Sequence, residues 1–172
     1  MKFPVRRLAK ADAEEYRDLR LRAFQESPRS FSESYEDECQ KPIDFFQALL
    51  GDGPEHFTMG CFSGANELVG IATFKRDQRS KARHKSYIHT MYVAPEFRGQ
   101  KIAQCVLRCL VEAAHTMPDL EQIHLWVLNP ETSPARKLYL KAGFVLQGPL
   151  VSKDLIIDGT YVDAEYMTLA LK

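Results

Sequence analysis

The stretch from Lys85 to His115 constrains this chain more than any other. It opens with a run rich in β formers, Lys85 to Val93, which Pro95 ends. After Glu96-Phe97-Arg98-Gly99 the pattern becomes helical over Gln100 to His115. There Ile102, Ala103, Val106, Leu107, Leu110, Val111 and Ala114 recur at spacings of three and four and share one face. A tight turn opening straight into a helix is a ready anion site. The first helical amides have no intrahelical acceptor, and the positive end of the dipole lies there. Gly99 has no Cβ to hold a phosphate off, and Arg98 and Lys101 add positive charge. For an isolated Arg-Gly pair the competing reading is an ordinary strand-to-helix connection, so the rest of the chain must decide.

The other elements follow from punctuation and period. Phe3 to Leu8 reads as a strand. Asp12 with Glu15 three residues on reads as a capping box for a helix that runs to about Gln25 and stops at Ser27-Pro28. Residues 32–50 read as one or two short helices, broken at Pro42 and closed by Gly51-Asp52-Gly53. His56 to Ser63 and Leu68 to Arg76 flank Gly64-Ala65-Asn66-Glu67 as a hairpin. Gln122 to Leu128 is mostly apolar and reads as a central strand, and Ser133-Pro134 opens a helix that Gly143 closes. Phe144 to Ile157 and Tyr161 to Leu171 read as two strands joined at Asp158-Gly159. The order βα(α)βββαβαββ predicts an α/β (α+β) domain: one mixed central sheet of about seven strands flanked by helices, a single domain over residues 1–172.

Composition removes several function classes. Lys plus Arg number 23 and Asp plus Glu number 23, without the basic excess of a generic polyanion binder, so no nucleic-acid partner is expected. No apolar run is long enough to span a bilayer, so no membrane partner is expected. The residues after Met1 lack the apolar core of a signal peptide, and a cytoplasmic location is expected. Cys39, Cys61, Cys105 and Cys109 have no zinc-type spacing, and no metal is expected.

The segment Val93-Ala94-Pro95-Glu96-Phe97-Arg98-Gly99-Gln100-Lys101-Ile102-Ala103 resembles the V-x-P-x-x-(R/Q)-G-x-G-x-(G/A) acetyl-CoA loop of the GNAT superfamily of N-acetyltransferases. Further on, Asn129-Pro130 and Ala135-Arg136-Lys137-Leu138-Tyr139-Leu140-Lys141-Ala142-Gly143-Phe144 are similar to that superfamily's second motif, N-P-x-N-x-x-A-x-x-x-Y-x-x-x-G-F. Two departures stand out. Lys101 occupies the usual second glycine of the loop, and Thr132 the usual second asparagine. A helical Lys101 is tolerated and can reach a pyrophosphate, whereas a positive φ there costs ligand affinity.

The resemblance implies acetyl-CoA as cosubstrate and no covalent enzyme intermediate. It implies that the strands Tyr87–Val93 and Gln122–Leu128 splay apart and that backbone groups of Met91, Tyr92 and Val93 hold the pantetheine arm inserted between them, one amide polarising the thioester carbonyl. The amides from Arg98 through Gly99, Gln100, Lys101 and Ile102 to Ala103 are then expected to hold the pyrophosphate. Asn129 or the Thr132 hydroxyl is expected to bond the arm, although Asn129 before Pro130 is also a good turn residue. Tyr139 matches the tyrosine that protonates the leaving thiolate, with helix–sheet packing as the alternative. For the base, His89, Glu96 and an ordered water remain open; strand alternation puts His89 on the face of Met91 and Val93. Trp126, Met91 and Phe144 read as packing residues.

The expected acceptor is a small-molecule or peptide amine. The net acidic segment 26–44 (Glu26, Glu33, Glu36, Asp37, Glu38 and Asp44) favours a cationic amine, if it lines the mouth of the site rather than a solvated face. The basic stretch Lys75 to Lys85 is left with three readings: the 3′-phosphate of CoA, an acidic partner, or solvent. The alternative function is an acetyl-CoA-binding sensor or inactive relative. Homodimers are frequent in the superfamily, and nothing in the residues decides an interface here.

Overall fold

The computed structural model describes residues 3–172. In chain order the elements are β1 (Val5–Arg7), α1 (Ala13–Glu26), α2 (Tyr35–Glu38), α3 (Ile43–Leu50), β2 (His56–Phe62), β3 (Leu68–Arg76), β4 (Lys85–Val93), α4 (Ile102–His115), β5 (Gln122–Leu128), α5 (Pro134–Lys141), β6 (Val145–Leu146), β7 (Val151–Ile157) and β8 (Thr160–Ala170). They form an eight-stranded sheet in the order β1-β2-β3-β4-β5-β8-β6, with β7 also on β8. Among the described residues its one parallel pair is β4–β5. The strand expected over Phe144 to Ile157 is two strands. Gly148 at φ 109 and Pro149, which has no N–H to give a ladder, break it between β6 and β7.

The sheet separates two cores. On one face Val106, Leu107 and Leu110 of α4 and Tyr139 of α5 pack on Phe57, Phe74, Ile123, Leu125 and Met167. On the other, Tyr16, Leu19 and Phe24 of α1 and Phe46 and Leu50 of α3 pack on Phe62, Ile71 and Tyr92. The helices of this second face lie over β2, β3 and β4. On the same face of β5, His124 and Leu128 are buried but Trp126 between them is 52% exposed, against Tyr166 with ring centroids 4.6 Å apart. Trp126 is therefore not the helix-packing residue expected of it.

The start of α1 differs from expectation. A 3-10 turn at Lys10–Asp12 precedes α1, so Asp12 sits at φ −88, ψ 5 and does not cap the helix. Its carboxylate instead accepts from the Ala9 amide at 2.7 Å and from Arg6 at 2.7 and 2.8 Å. Among the described residues no helix is long and apolar enough to cross a membrane.

Candidate active site

The site is built around a parting of two strands. β4 and β5 pair at Lys85↔Gln122, Ser86↔Ile123 and Tyr87↔His124, and there the ladder ends although both strands continue. The cause lies in β4. Between Ile71↔Tyr92 and Thr73↔His89 the register with β3 shifts, so Thr90 and Met91 together face Ala72, and Thr90 takes φ 49. An extra residue of this kind bends its strand and increases the twist. It also resets the alternation. Ile88, Met91 and Val93 pack towards α4, whereas Tyr92 packs towards α1. His89 thus lies on the α1 side, opposite Met91 and Val93, and the shared face expected from simple alternation does not exist.

Beyond Val93 the chain makes a 3-10 turn at Pro95–Phe97. The Arg98 amide is spent in that turn on the Pro95 carbonyl at 3.1 Å, so it is not free for a ligand. The Arg98 side chain folds back, its Nε donating to the Val93 carbonyl at 3.0 Å, with the guanidinium 5.7 Å from the Tyr92 ring. From Gly99 to Gln104 no amide has an acceptor among the described residues, and the next one, of Cys105, closes on Lys101 O at 3.1 Å. Gly99 sits at φ 76, and a Cβ there would meet nothing within 4 Å, so its open side is free for a ligand. Lys101 is the N-cap of α4 at φ 63, ψ 16, which is the left-handed conformation and not the helical one. Gln100 is exposed, Ala103 is half-buried, and Ile102 is buried against the α4-side core. This run of unpartnered amides at a helix start suits a diphosphate.

On the other side of the gap, Asn129 closes β5 at φ 48. Its amide donates to Asp163 O at 2.8 Å, and its Nδ2 donates to Thr132 Oγ1 at 2.8 Å. Asn129 and Thr132 therefore build the turn together, leaving Asn129 Oδ1 open as an acceptor. Tyr139 projects from α5 into the core, 5% exposed, with its ring 5.5 Å from that of Phe144. Its hydroxyl has no hydrogen-bond partner among the described residues, where every fully buried side-chain polar atom has one, so the hydroxyl end must reach a surface. Burial raises its pKa well above the ordinary phenol value, which keeps it protonated.

A cleft of about 360 Å³ opens on the α1 side of the gap. Phe31, Ser32 and Glu33 form one wall, His89 and Tyr87 of β4 and Trp126 of β5 the floor, and Asp154 and Leu155 of β7 the far wall. Burial pushes the His89 pKa down; Glu33 opposes this, and Lys75, His56 and Arg20 add to it. His89 is therefore neutral at pH 7 and able to accept a proton. Glu96 is not placed for that work: Arg22 holds it through two contacts of 2.8 Å outside the cleft, which lowers its pKa. Sequence reading gave no role in the site to Tyr87, Trp126, Asp154 and Leu155: the first two lie on the strands expected to splay, and nothing in the sequence sets Asp154 and Leu155 beside them.

The acidic segment does not line the mouth as a whole. Glu38 is buried against Arg20, Glu26 bonds Arg22 and the Tyr92 hydroxyl, and Asp37 accepts from Ser34. Glu33 is the member that reaches the cleft. The basic stretch lies beside the start of β4, about 25 Å along the strand from the free amides. Much of its charge is already paired there, Arg76 and Arg83 with Glu55 and Arg79 with Asp77.

Residues 14–144 match the model of the acetyltransferase (GNAT) family. No curated protein sequence matches the chain. Among solved structures, a GNAT-family acetyltransferase from Streptococcus pneumoniae superposes with a TM-score of 0.83 at 20% identity, covering 98% of this chain and 99% of the other. A phosphinothricin acetyltransferase from Sinorhizobium meliloti, in complex with acetyl-CoA, gives 0.81 at 19% identity, with 99% and 89% covered. The ribosomal-protein-S18-alanine N-acetyltransferase of Escherichia coli gives 0.73 at 13% identity, with 99% and 94% covered. At these identities the structural likeness speaks to the fold.

Proposed function

The chain belongs to the GNAT family of acetyltransferases, and from that membership we propose that it transfers the acetyl group of acetyl-CoA to a primary amine held in the cleft over His89 and Trp126. The observation that carries this reading is the gap where β4 leaves β5, bordered by the unpartnered amides of Gly99 to Gln104.

In this reading the pyrophosphate lies on the amides from Gly99 to Gln104, with Lys101 adding charge and Arg98 bracing the loop from behind. The pantetheine arm enters the gap beside Met91, Tyr92 and Val93, and Asn129 Oδ1 accepts from it across the gap. The Ala94 amide bonds Val69 O at 3.0 Å, so alternation turns the Val93 amide the other way, towards the gap, where it polarises the thioester carbonyl. The amine approaches from the α1 side. His89 removes a proton from the ammonium, the nitrogen lone pair forms a bond to the carbonyl carbon, and the carbon–sulfur bond breaks. The departing thiolate takes the phenolic proton of Tyr139 on the α4 side. The second proton, shed by the nitrogen as it becomes an amide, restores the phenol by way of water, and His89 releases the first to solvent. Base and acid thus stand on opposite faces of the sheet and meet at the gap between its strands.

The acceptor is a small cationic amine. The cleft is small, its carboxylates Glu33 and Asp154 stand on opposite walls, and the Trp126 ring gives an ammonium an aromatic face. Two neighbours by their names act on unlike acceptors, phosphinothricin and a ribosomal protein's alanine, so the fold leaves the choice to the walls of the cleft. Thiol release from acetyl-CoA over a panel of polyamines, amino acids, aminoglycosides and peptides tests this, with a thermal shift by acetyl-CoA alongside. Turnover on small cationic amines is expected. A clear shift with no turnover on any amine would favour the second reading, an acetyl-CoA sensor, for which the left-handed Lys101 in the phosphate loop is the motive.

A further inference from the structure

Among the described residues one ion pair has both side chains buried: Arg20 of α1 and Glu38 at the end of α2, at 4% and 6% exposure. The pair is bidentate, Nε to Oε2 and Nη2 to Oε1, both at 2.7 Å. A buried pair is weak evidence of stability, because well-packed apolar side chains often do as well. What apolar side chains cannot supply is the third bond. Arg20 Nη1 donates to the Thr90 hydroxyl at 2.5 Å. Thr90 is the residue at φ 49 in the β4 bulge, and a β-branched residue in that region is an outlier that its surroundings must hold in place.

The geometry points to Arg20 as a positioning residue for acetyl transfer. Through Thr90 it holds the bulge that parts β4 from β5 and aims the backbone of Met91 to Val93. Through Glu38 it anchors the segment that carries Phe31, Ser32 and Glu33, the near wall of the cleft. One guanidinium thereby sets the thioester strand and the acceptor wall relative to each other. The kinetic half of this proposal rests on the acetyl-transfer reading; the conformational half does not.

Removing Arg20 would leave Glu38 buried and unpaired, which puts folding itself at risk, so the informative variants are at Thr90. Thr90→Val keeps the shape and deletes the hydroxyl that Arg20 bonds, while Thr90→Ser restores a hydroxyl without the methyl. Amide hydrogen exchange and steady-state kinetics are read together. In Thr90→Val, the amide of Tyr92, which by alternation with Ala94 lies on the β3 side of the strand, should exchange about tenfold faster while those of β2 stay unchanged, because the damage is local. kcat should fall about tenfold with KM for acetyl-CoA held within about twofold, as expected for a misaimed transition-state contact. Thr90→Ser should lie close to wild type in both. Unchanged exchange at Tyr92, or a loss of protection spread evenly over the chain, would overturn the clamp. Local loosening with unchanged kcat would overturn the positioning role. If the wild-type protein releases no thiol with any amine, the acetyl-transfer reading fails by itself, and the exchange result still decides the clamp.

Discussion

Lys101 sets two effects against each other, and replacing it with glycine separates them. At φ 63, ψ 16 the residue occupies a region that costs an L-amino acid about 1–2 kcal/mol, a cost the ligand-free loop already carries, so it counts against stability and not against ligand affinity as the sequence alone suggests. Glycine escapes that cost but gives up about 0.5–1 kcal/mol more chain entropy on folding. Lys101→Gly should therefore be more stable by about 0–1.5 kcal/mol, or about 0–6 °C in Tm for a chain of this size. The lysine is exposed beside the unpartnered amides. Losing one unit of positive charge there should cost a bound phosphate about 0.5–1 kcal/mol, a two- to fivefold rise in Kd. The affinity loss should shrink at high salt, and the Tm gain should not. Lys101→Ala is the control: it loses the same charge but keeps the backbone cost, so affinity falls with no gain in Tm. Calorimetric titration with acetyl-CoA at low and high salt, and melting of the ligand-free protein, supply both numbers. Tighter binding by Lys101→Gly would refute the reasoning, since it would mean that the left-handed lysine obstructs the phosphate instead of attracting it.

Tyr139→Phe should leave Tm nearly unchanged, because the ring packs on Phe144 and the hydroxyl has no partner to lose, while kcat falls about 10²-fold; turnover near wild type would remove Tyr139 as the acid. The pH–rate profile of kcat/KM should carry an acid limb below the ordinary imidazole pKa of about 6.5, since His89 acts as the neutral base and burial depresses its pKa. In His89→Gln that limb should vanish and the remaining rate should be low; an unchanged profile would assign the limb elsewhere. His56, His89 and His124 all have lowered pKa values, mainly through burial, so the stability they contribute is present above the unfolded value and is lost as pH falls through the folded ones. Thermal melts should accordingly show Tm dropping as pH is lowered from neutrality through the range below about 6.5.

What was legible in the sequence is what local patterns control. The bounds of β4 and β5, the hairpin strands β2 and β3, and the body of α4 follow from runs of β formers, proline and glycine stops, and a helical apolar face. The free-amide loop was legible too, because a glycine before an amphipathic helix has a direct backbone consequence. The failures are tertiary. Nothing near Thr90 announces a left-handed residue; no glycine or asparagine stands there, and the bond that holds it comes from Arg20, seventy residues away. Missing that bulge put His89 on the wrong face. The carboxylates of segment 26–44 looked like one patch because their partners, Arg20, Arg22 and Tyr92, are read as charges or core elsewhere in the chain. Trp126 looked like core because its exposure depends on where the α1 layer ends.

The bulge in β4 also bears on how such a chain changes by insertion and deletion. If Thr90 is skipped, Ile88, Met91 and Val93 still alternate with His89 and Tyr92, so every side chain after it would stay in its own layer. Ala72 would simply face Met91 in an unbroken ladder. A one-codon deletion at Thr90 would thus spare both cores, relieve a strained residue and let β4 run on beside β5. The chain would lose its gap and keep its architecture, which makes the reactive opening a one-residue insertion in an otherwise regular strand.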